Sequence, residues 1–358
     1  MQRVLFITRK WPPAIGGMET YAVKLATQLE ARCALETHVL PGRIDGRPPV
    51  PFRLALFLLG SMRFLARRRA DVVHVGDLVL WPLEWFARVV GAAPRTVITA
   101  YGLDLVYGYR KGLLPWLYRH YLALGVRMIG KNAHVIAISR QTAMLCERAG
   151  FCNVTVVTLG VDPPTLCPPV DSPARPFVLF VGRLVRRKGA AWFATEVLPR
   201  LPASVRMVVV GKAWDESEIA LLGAAPRVDY RNVVTAAELR TLRREAIAVV
   251  MPNIPSGGTD VEGFGLTAVE AGADGGILLA SGIEGIVDAV VDGVTGYLLP
   301  AGDATAWAAK IAELISWPME KRRSFIQNAQ ATIASRYSWS VVAERTLEAY
   351  AATSRQMT

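Results

Sequence analysis

Seven residues separate Glu262 from Glu270 in the stretch Glu262-Gly263-Phe264-Gly265-Leu266-Thr267-Ala268-Val269-Glu270. Val261 to Gly265 reads as a loop and Leu266 to Ala271 as the opening of a helix, with Glu270 in its first turn. Glycines 263 and 265 let backbone N–H groups come close to a ligand. The unpaired N–H groups of a helix start then make an anion site. Carboxylates accept hydrogen bonds from hydroxyls, so phosphate donors flanked by two glutamates suit a phosphorylated sugar or a nucleotide. The spacing alone fits equally well a solvated Glu262 and a Glu270 that only favours the helix dipole.

Two other stretches could serve the same chemistry. Gly182-Arg183-Leu184-Val185-Arg186-Arg187-Lys188-Gly189 follows the apolar run Phe177–Val181. There Arg183 could act as a fork and Lys188 as a point charge on a diphosphate, the alternative being a solvated basic loop. Gly16 and Gly17 open a helical pattern after the apolar run Val4–Thr8 and could admit a phosphate or a sugar, although any tight strand-to-helix turn uses glycine.

These residues need a frame, and the chain supplies one. At 358 residues, 52% hydrophobic and 20% charged, it is long enough for about two folded domains. Strand candidates in the first half are 4–8, 37–40, 71–75, 96–99, 134–138 and 155–158, and in the second 177–181, 206–210, 247–251 and 277–280. β-branched apolar runs separated by helical patterns imply an α/β fold, with parallel sheets covered on both faces. The two doubly wound domains are expected at 1–165 and 174–339, with 166–173 as the linker. The stretch from Asp162 to Pro173 holds five prolines and cannot be a helix or a central strand. Ligands of such sheets bind at the carboxyl ends of strands, where all three stretches fall, and the expected site is the cleft between the domains.

The net charge of +11 suits an anionic partner. Two segments join basic and apolar residues, Phe52–Leu65 with Arg67-Arg68-Arg69, and Tyr107–Arg119. Each fits an interfacial helix, and each also fits an ordinary core-facing helix with a basic outer face. No nucleic-acid-binding module is apparent. Cys33, Cys146, Cys152 and Cys167 show no CxxC pair or zinc spacing, and the histidines are scattered. Reduced thiols and no protein-built metal site are expected. No apolar run is long enough to span a bilayer, and Met1–Thr8 reads as a first strand rather than a signal peptide. The expected location is the cytoplasm.

In this order the stretches resemble family 4 of the retaining GT-B glycosyltransferases. The resemblance runs through PPAIGGMETYAVKLATQL, AISRQTAMLCERAGF, LGVD, VGRLVRRKG, MPN, EGFGLTAVEA, VVDGVTGYLLPAGD and YSWSVVAERTLEAY. It implies a GT-B fold of two Rossmann-like domains, an acceptor-side one followed by a nucleotide-sugar one. The last helix, about 340–358, returns to the first. It also implies roles. Gly16 and Gly17 close on the donor phosphates and acceptor, and Arg183 and Lys188 neutralise the departing diphosphate. Glu262 faces the donor sugar hydroxyls, Phe264, Gly265 and Leu266 present backbone N–H groups, and Glu270 holds the ribose. The chain departs from the family pattern at Tyr101, where His is usual and where Tyr could contact a sugar or phosphate. It departs again at Leu159, where Asn is usual. Asp274-Gly275-Gly276-Ile277 replaces a Cys-Gly-x-Pro turn and should loosen it.

The expected reaction is metal-independent hexosyl transfer, without a cofactor, from a UDP- or GDP-sugar to an acceptor hydroxyl with retention. Basic charge together with the apolar Phe52–Leu65 segment points to a lipid-linked saccharide at the inner face of an anionic membrane, as in bacterial surface polysaccharide or lipopolysaccharide synthesis. A small soluble acceptor is the alternative within this class. Outside it stand a nucleotide-sugar epimerase or hydrolase on the same scaffold and a non-catalytic nucleotide-sugar-binding subunit.

Overall fold

The computed structural model describes all residues except 15, 45–48, 165–175, 256, 258–259 and 353–358. The expected linker, 166–173, and Cys167 lie outside the described residues. The chain divides into two compact units, one of Met1–Gly160, Gly258–Gly263 and Trp339–Thr358, the other of Val161–Gly257 and Phe264–Ser338.

The first unit is built on strands β1 (Arg3–Thr8), β2 (Ala34–Val39), β3 (Val72–Val75), β4 (Arg95–Ala100), β5 (His134–Ala137) and β6 (Asn153–Val156). They lie parallel in the order β2-β1-β3-β4-β5-β6. Successive side chains leave a strand on opposite faces, and β1 shows the result. Leu5 and Ile7 join the layer of Phe57, Leu65 and Leu83, while Phe6 packs with Ala22 and Ala26 on the other face. A sheet buried on both sides takes continuous apolar strands, which is why β1, β3, β4 and β5 are so plain in the sequence. Strand β2 begins three residues before its expected start, because this edge strand is only half-buried and its polar residues mask it. The final helix, Trp339–Ala352, packs on helix Gly17–Glu30. Gly160 leaves room for the Trp339 indole, where a Cβ would stand 2.6 Å from ring carbon.

The second unit holds β7 (Phe177–Val181), β8 (Arg206–Val210), β9 (Val228–Arg231), β10 (Val249–Met251), β11 (Leu278–Ser281) and β12 (Tyr297–Leu299). These are also parallel, in the order β12-β11-β10-β7-β8-β9. Counted from its own first strand this is the 3-2-1-4-5-6 order of a dinucleotide-binding sheet, and its switch point lies between β7 and β10. Sequence reading misses β9 and β12. The first is the polar run Val-Asp-Tyr-Arg on an edge, and the second is three residues long. The core of this unit gathers Phe180, Phe193, Val209, Val250, Leu279 and Trp307.

Candidate functional site

The switch point of the second sheet fixes where the basic loop sits. After β7, Arg183 is exposed and its guanidinium lies 5.3 Å from the ring centroid of Trp214, a cation–π stack that holds an otherwise free side chain. Lys188 closes a single 3-10 turn, Arg186–Lys188, and Gly189 ends it in the left-handed region at φ 71°. That glycine lies directly against the Pro252 carbonyl of the loop leaving β10. The Ile254 N–H also donates to the Arg187 carbonyl at 2.8 Å. The loops from the two strands that flank the switch point are thereby locked together, and half-buried Lys188 is carried at their junction.

The β10 loop runs on to helix Leu266–Ala273. Gly265 is its left-handed N-cap at φ 95°, which no β-branched or bulky residue would adopt cheaply. Phe264 is buried to 1% exposure against Tyr337, so its part in a site is its backbone. Among the described residues no side chain caps this helix start, and the Ala268 N–H already donates to the Gly265 carbonyl at 2.9 Å, so the first-turn N–H groups of Leu266 and Thr267 are the ones without an intrahelical acceptor. Glu270 is the fifth residue of the helix, which at 3.6 residues per turn places it in the second turn rather than the expected first.

Its carboxylate is anchored. Arg243, at the end of helix Ala236–Glu245, donates from one terminal nitrogen to Glu270 Oε2 and from the other to Asp274 Oδ2, both at 2.6 Å. The Arg243 side chain is 7% exposed and that of Glu270 39%. This cluster also corrects the expectation of a loosened turn at Asp274-Gly275-Gly276-Ile277. Asp274 is tied to Arg243, Gln330 donates to the Ala273 carbonyl at 3.0 Å, and the Gly276 N–H reaches the Ala271 carbonyl at 2.8 Å. Side-chain bonds replace the rigidity a proline would give. Nothing in the local sequence marks Arg243 out, because an arginine in the last turn of a helix reads as ordinary dipole compensation.

In the first unit Gly16 is the extended N-cap of helix Gly17–Glu30. A Cβ at Gly16 would stand 2.6 Å from Glu19 Oε2, so a first-turn carboxylate lies beside the opening that the sequence offers to a ligand. Glu262 and Gly263 cluster with this unit, and Glu262 is half-buried. Gly263 approaches Tyr101 so closely that a Cβ there would be 2.9 Å from its carbonyl oxygen.

Tyr101, read as a possible sugar or phosphate contact, is buried. It is 4% exposed, edge-on to Tyr21 with ring centroids 5.8 Å apart, and its hydroxyl has no hydrogen-bond partner among the described residues. Burial pushes the phenol well above its usual range. A large ring gains more from the interior than from the surface, and the Tyr101 ring packs in the interior. Around it sequence reading missed a polar group at the carboxyl ends of β1, β3 and β4. Arg9 Nε pairs with Asp77 Oδ2 at 2.9 Å, and the Tyr101 N–H points to Asp104 Oδ2 at 3.4 Å. Burial, and then Asp77, raise Asp104 to about 6, against the pull of Lys10 and Arg9. Each of these acids and bases follows a strand end, the one signal that could have found them.

The two basic, apolar segments become helices Pro51–Arg67 and Leu113–Ile129, both beside helix Trp81–Val89 in one layer. Phe57, Ser61 and Leu65 face inward on the first, while Phe52, Leu56 and Leu59 are 74%, 52% and 60% exposed on the other side. On the second, Leu113, Leu114 and Trp116 are 70%, 70% and 54% exposed. No acidic residue occurs from 46 to 70 or from 105 to 146. Neither reading of these helices was complete, since each has a core face and an exposed apolar face. Among the described residues, no helix is long and apolar enough to cross a membrane.

Comparison with known proteins gives the same answer in both units. Residues 15–164 match the family model described as Glycosyltransferase Family 4, and residues 170–332 that of Glycosyl transferases group 1. The chain is 28% identical to alpha-maltose-1-phosphate synthase of Mycobacterium tuberculosis, over 97% of this chain and 98% of that protein. It is 30% identical to D-inositol 3-phosphate glycosyltransferase of Xylanimonas cellulosilytica, over 88% and 81% respectively. In fold it is similar to Anabaena HepE, crystallised with UDP and glucose, with a TM-score of 0.72 at 19% identity, over 98% and 100% of the two chains. The parallel sheets, the switch-point loops and these matches together place the chain in family 4 of the GT-B glycosyltransferases.

Proposed function

We propose that this glycosyltransferase moves a sugar from a nucleotide-diphosphate sugar to an acceptor hydroxyl with retention of anomeric configuration. The observation that carries the donor half is the junction at the β7/β10 switch point, where the Arg183–Lys188 loop is locked to the loop leading into the Glu270 helix. Lys188 and Arg183 hold the diphosphate, with the N–H groups of Phe264, Gly265 and Leu266 as further donors. Glu270 accepts from the ribose hydroxyls and Glu262 from the donor sugar. Gly16 and Gly17 supply backbone contacts to the donor phosphates and the acceptor.

In the transfer step the acceptor oxygen bonds to the anomeric carbon as the bond from that carbon to the phosphate oxygen breaks on the same face. The acceptor proton passes to the leaving phosphate, whose growing charge Arg183, Lys188 and the helix start stabilise. In this reading no metal is required for that task. Preorganised donors aimed at developing charge contribute about 2.7–4 kcal/mol each.

For the acceptor we favour a lipid-linked saccharide at an anionic membrane surface, as in bacterial surface polysaccharide or lipopolysaccharide synthesis. The support is the acid-free, basic helix pair with exposed Phe52, Leu56, Leu59, Leu113, Leu114 and Trp116, since amphipathic basic helices bind such surfaces. A small phosphorylated acceptor is the second reading, favoured by the names of the two curated relatives.

The test is turnover with a panel of UDP- and GDP-sugars in the presence and absence of acceptor lipids. Lys188→Ala and Glu270→Ala should each cut transfer by roughly a hundredfold or more with the fold intact. Near-normal turnover in both variants rejects the site. Free or isomerised sugar formed without acceptor would favour a hydrolase or epimerase, and nucleotide binding without turnover a binding subunit.

A further inference from the structure

Arg243 is the least exposed charged group at the Glu270 helix, and neither its neighbours nor its place at the end of helix Ala236–Glu245 accounts for its two carboxylate partners. Its guanidinium spans Glu270 Oε2 and Asp274 Oδ2, each at 2.6 Å, with 5% of the residue exposed. The Glu270 side chain, by contrast, is 39% exposed. The geometry points to Arg243 as a positioning residue that fixes the direction in which Glu270 presents its second oxygen to a nucleotide ribose. This rests on the proposed donor site.

The physical reason lies in what each group can do. A glutamate on a helix surface has several staggered rotamers, and holding one of them costs entropy at the moment of binding. A charge-assisted bond from a planar, buried guanidinium removes that freedom beforehand. Asp274 keeps the guanidinium itself from turning, because it occupies the other terminal nitrogen. One oxygen of Glu270 is thus committed to Arg243, and the other is the one offered to a vicinal pair of hydroxyls. A lysine could not do this, since a single ammonium on a flexible stem cannot hold both carboxylates in one plane.

The consequence is specific to the ribose hydroxyls and not to the base or the phosphates. A clamp that only joined two helices would lower stability when removed, and would weaken every nucleotide alike. A positioning residue changes the ratio between ribonucleotides and their deoxy analogues.

The experiment measures binding of UDP and GDP, and of their 2′-deoxy and 3′-deoxy counterparts, to the intact protein and to Arg243→Met, Arg243→Lys and Asp274→Asn. The wild type should prefer the ribonucleotide by roughly tenfold, the value of one hydrogen bond to a charged group. In Arg243→Met that preference should fall to within about twofold while affinity for the deoxy analogues stays near that of the wild type, and Asp274→Asn should lie between. Arg243→Lys should recover only part of the preference. An unchanged preference in a folded Arg243→Met or Asp274→Asn overturns the inference and leaves the donor site standing. Failure of the wild type to bind either ribonucleotide, or binding with no ribose preference, overturns both. Should Arg243→Met fail to fold, Asp274→Asn, a change of one oxygen for an amide, decides on the same ratio.

Discussion

His74 on β3 and Tyr350 on the last helix meet through Nδ1 and the phenolic oxygen at 2.7 Å, although 276 positions separate them. The other ring nitrogen of His74 lies 2.7 Å from Thr99 Oγ1, and all three residues are fully buried. This buried chain of polar contacts ties the end of the polypeptide to the centre of its first sheet. Tyr350→Phe leaves the His74 nitrogen without that partner in the interior, and the expected loss is about 1–3 kcal/mol by urea unfolding.

The same histidine makes stability depend on acid. Burial lowers its pKa from 6.5 to about 3, so the folded state keeps it neutral where the unfolded chain takes up a proton. Stability from this group is complete above about pH 6.5 and declines as pH falls toward 3, by up to roughly 1.4 kcal/mol per pH unit. Thermal midpoints of His74→Gln and wild type should converge as pH drops through that window. Parallel curves would reject the assignment.

Asp104 works in the opposite direction. Its carboxyl is raised from 3.8 to about 6, chiefly by burial and then by Asp77. The folded state therefore holds the proton more tightly, and ionising the group costs stability as pH rises from 3.8 through 6. Asp104→Asn should gain on wild type between pH 4 and pH 7, by on the order of 1 kcal/mol. A difference in melting temperature that does not change with pH would contradict this.

Gly189 sits at φ 71° with its α-carbon against the Pro252 carbonyl. An alanine there meets both an unfavourable backbone region and a rigid neighbour. Gly189→Ala should cost at least about 1–3 kcal/mol. It should also weaken nucleotide binding, because the junction that carries Lys188 must open. Calorimetry with UDP and GDP alongside urea unfolding checks both.

Leu56 and Leu59 are exposed on the outer face of a helix whose inner face is already packed. Leu56→Glu together with Leu59→Glu should leave the thermal midpoint within a few degrees while abolishing co-sedimentation with anionic vesicles at low salt. Retained binding would remove this helix face from the proposed membrane contact, and no binding by the wild type at low salt would remove the membrane surface altogether.

Much of the fold was legible in the chain because parallel strands buried on both faces need unbroken apolar runs. β7 and β8 coincide with their expected residues, and the helix expected from Thr20 to Glu30 runs from Gly17 to Glu30, three residues longer at its start. Edge strands β2 and β9 were misplaced or missed because a half-exposed strand carries polar residues that break the pattern. The glycines and charges of the proposed donor loops were readable for a related reason. Left-handed caps such as Gly189 and Gly265 tolerate few other residues, so local geometry leaves its mark on local sequence.

What the sequence determined by itself was therefore the α/β frame, the loops that carry Arg183, Lys188 and Glu270, and the family to which they belong. Only the tertiary structure decided that Tyr101 turns inward, that Asp104 is buried beside Asp77, and that Arg243 grips Glu270 and Asp274 at once. Burial and ion pairing depend on which elements the chain brings together. A residue's own neighbours in sequence carry no record of a partner 27 or 276 positions away.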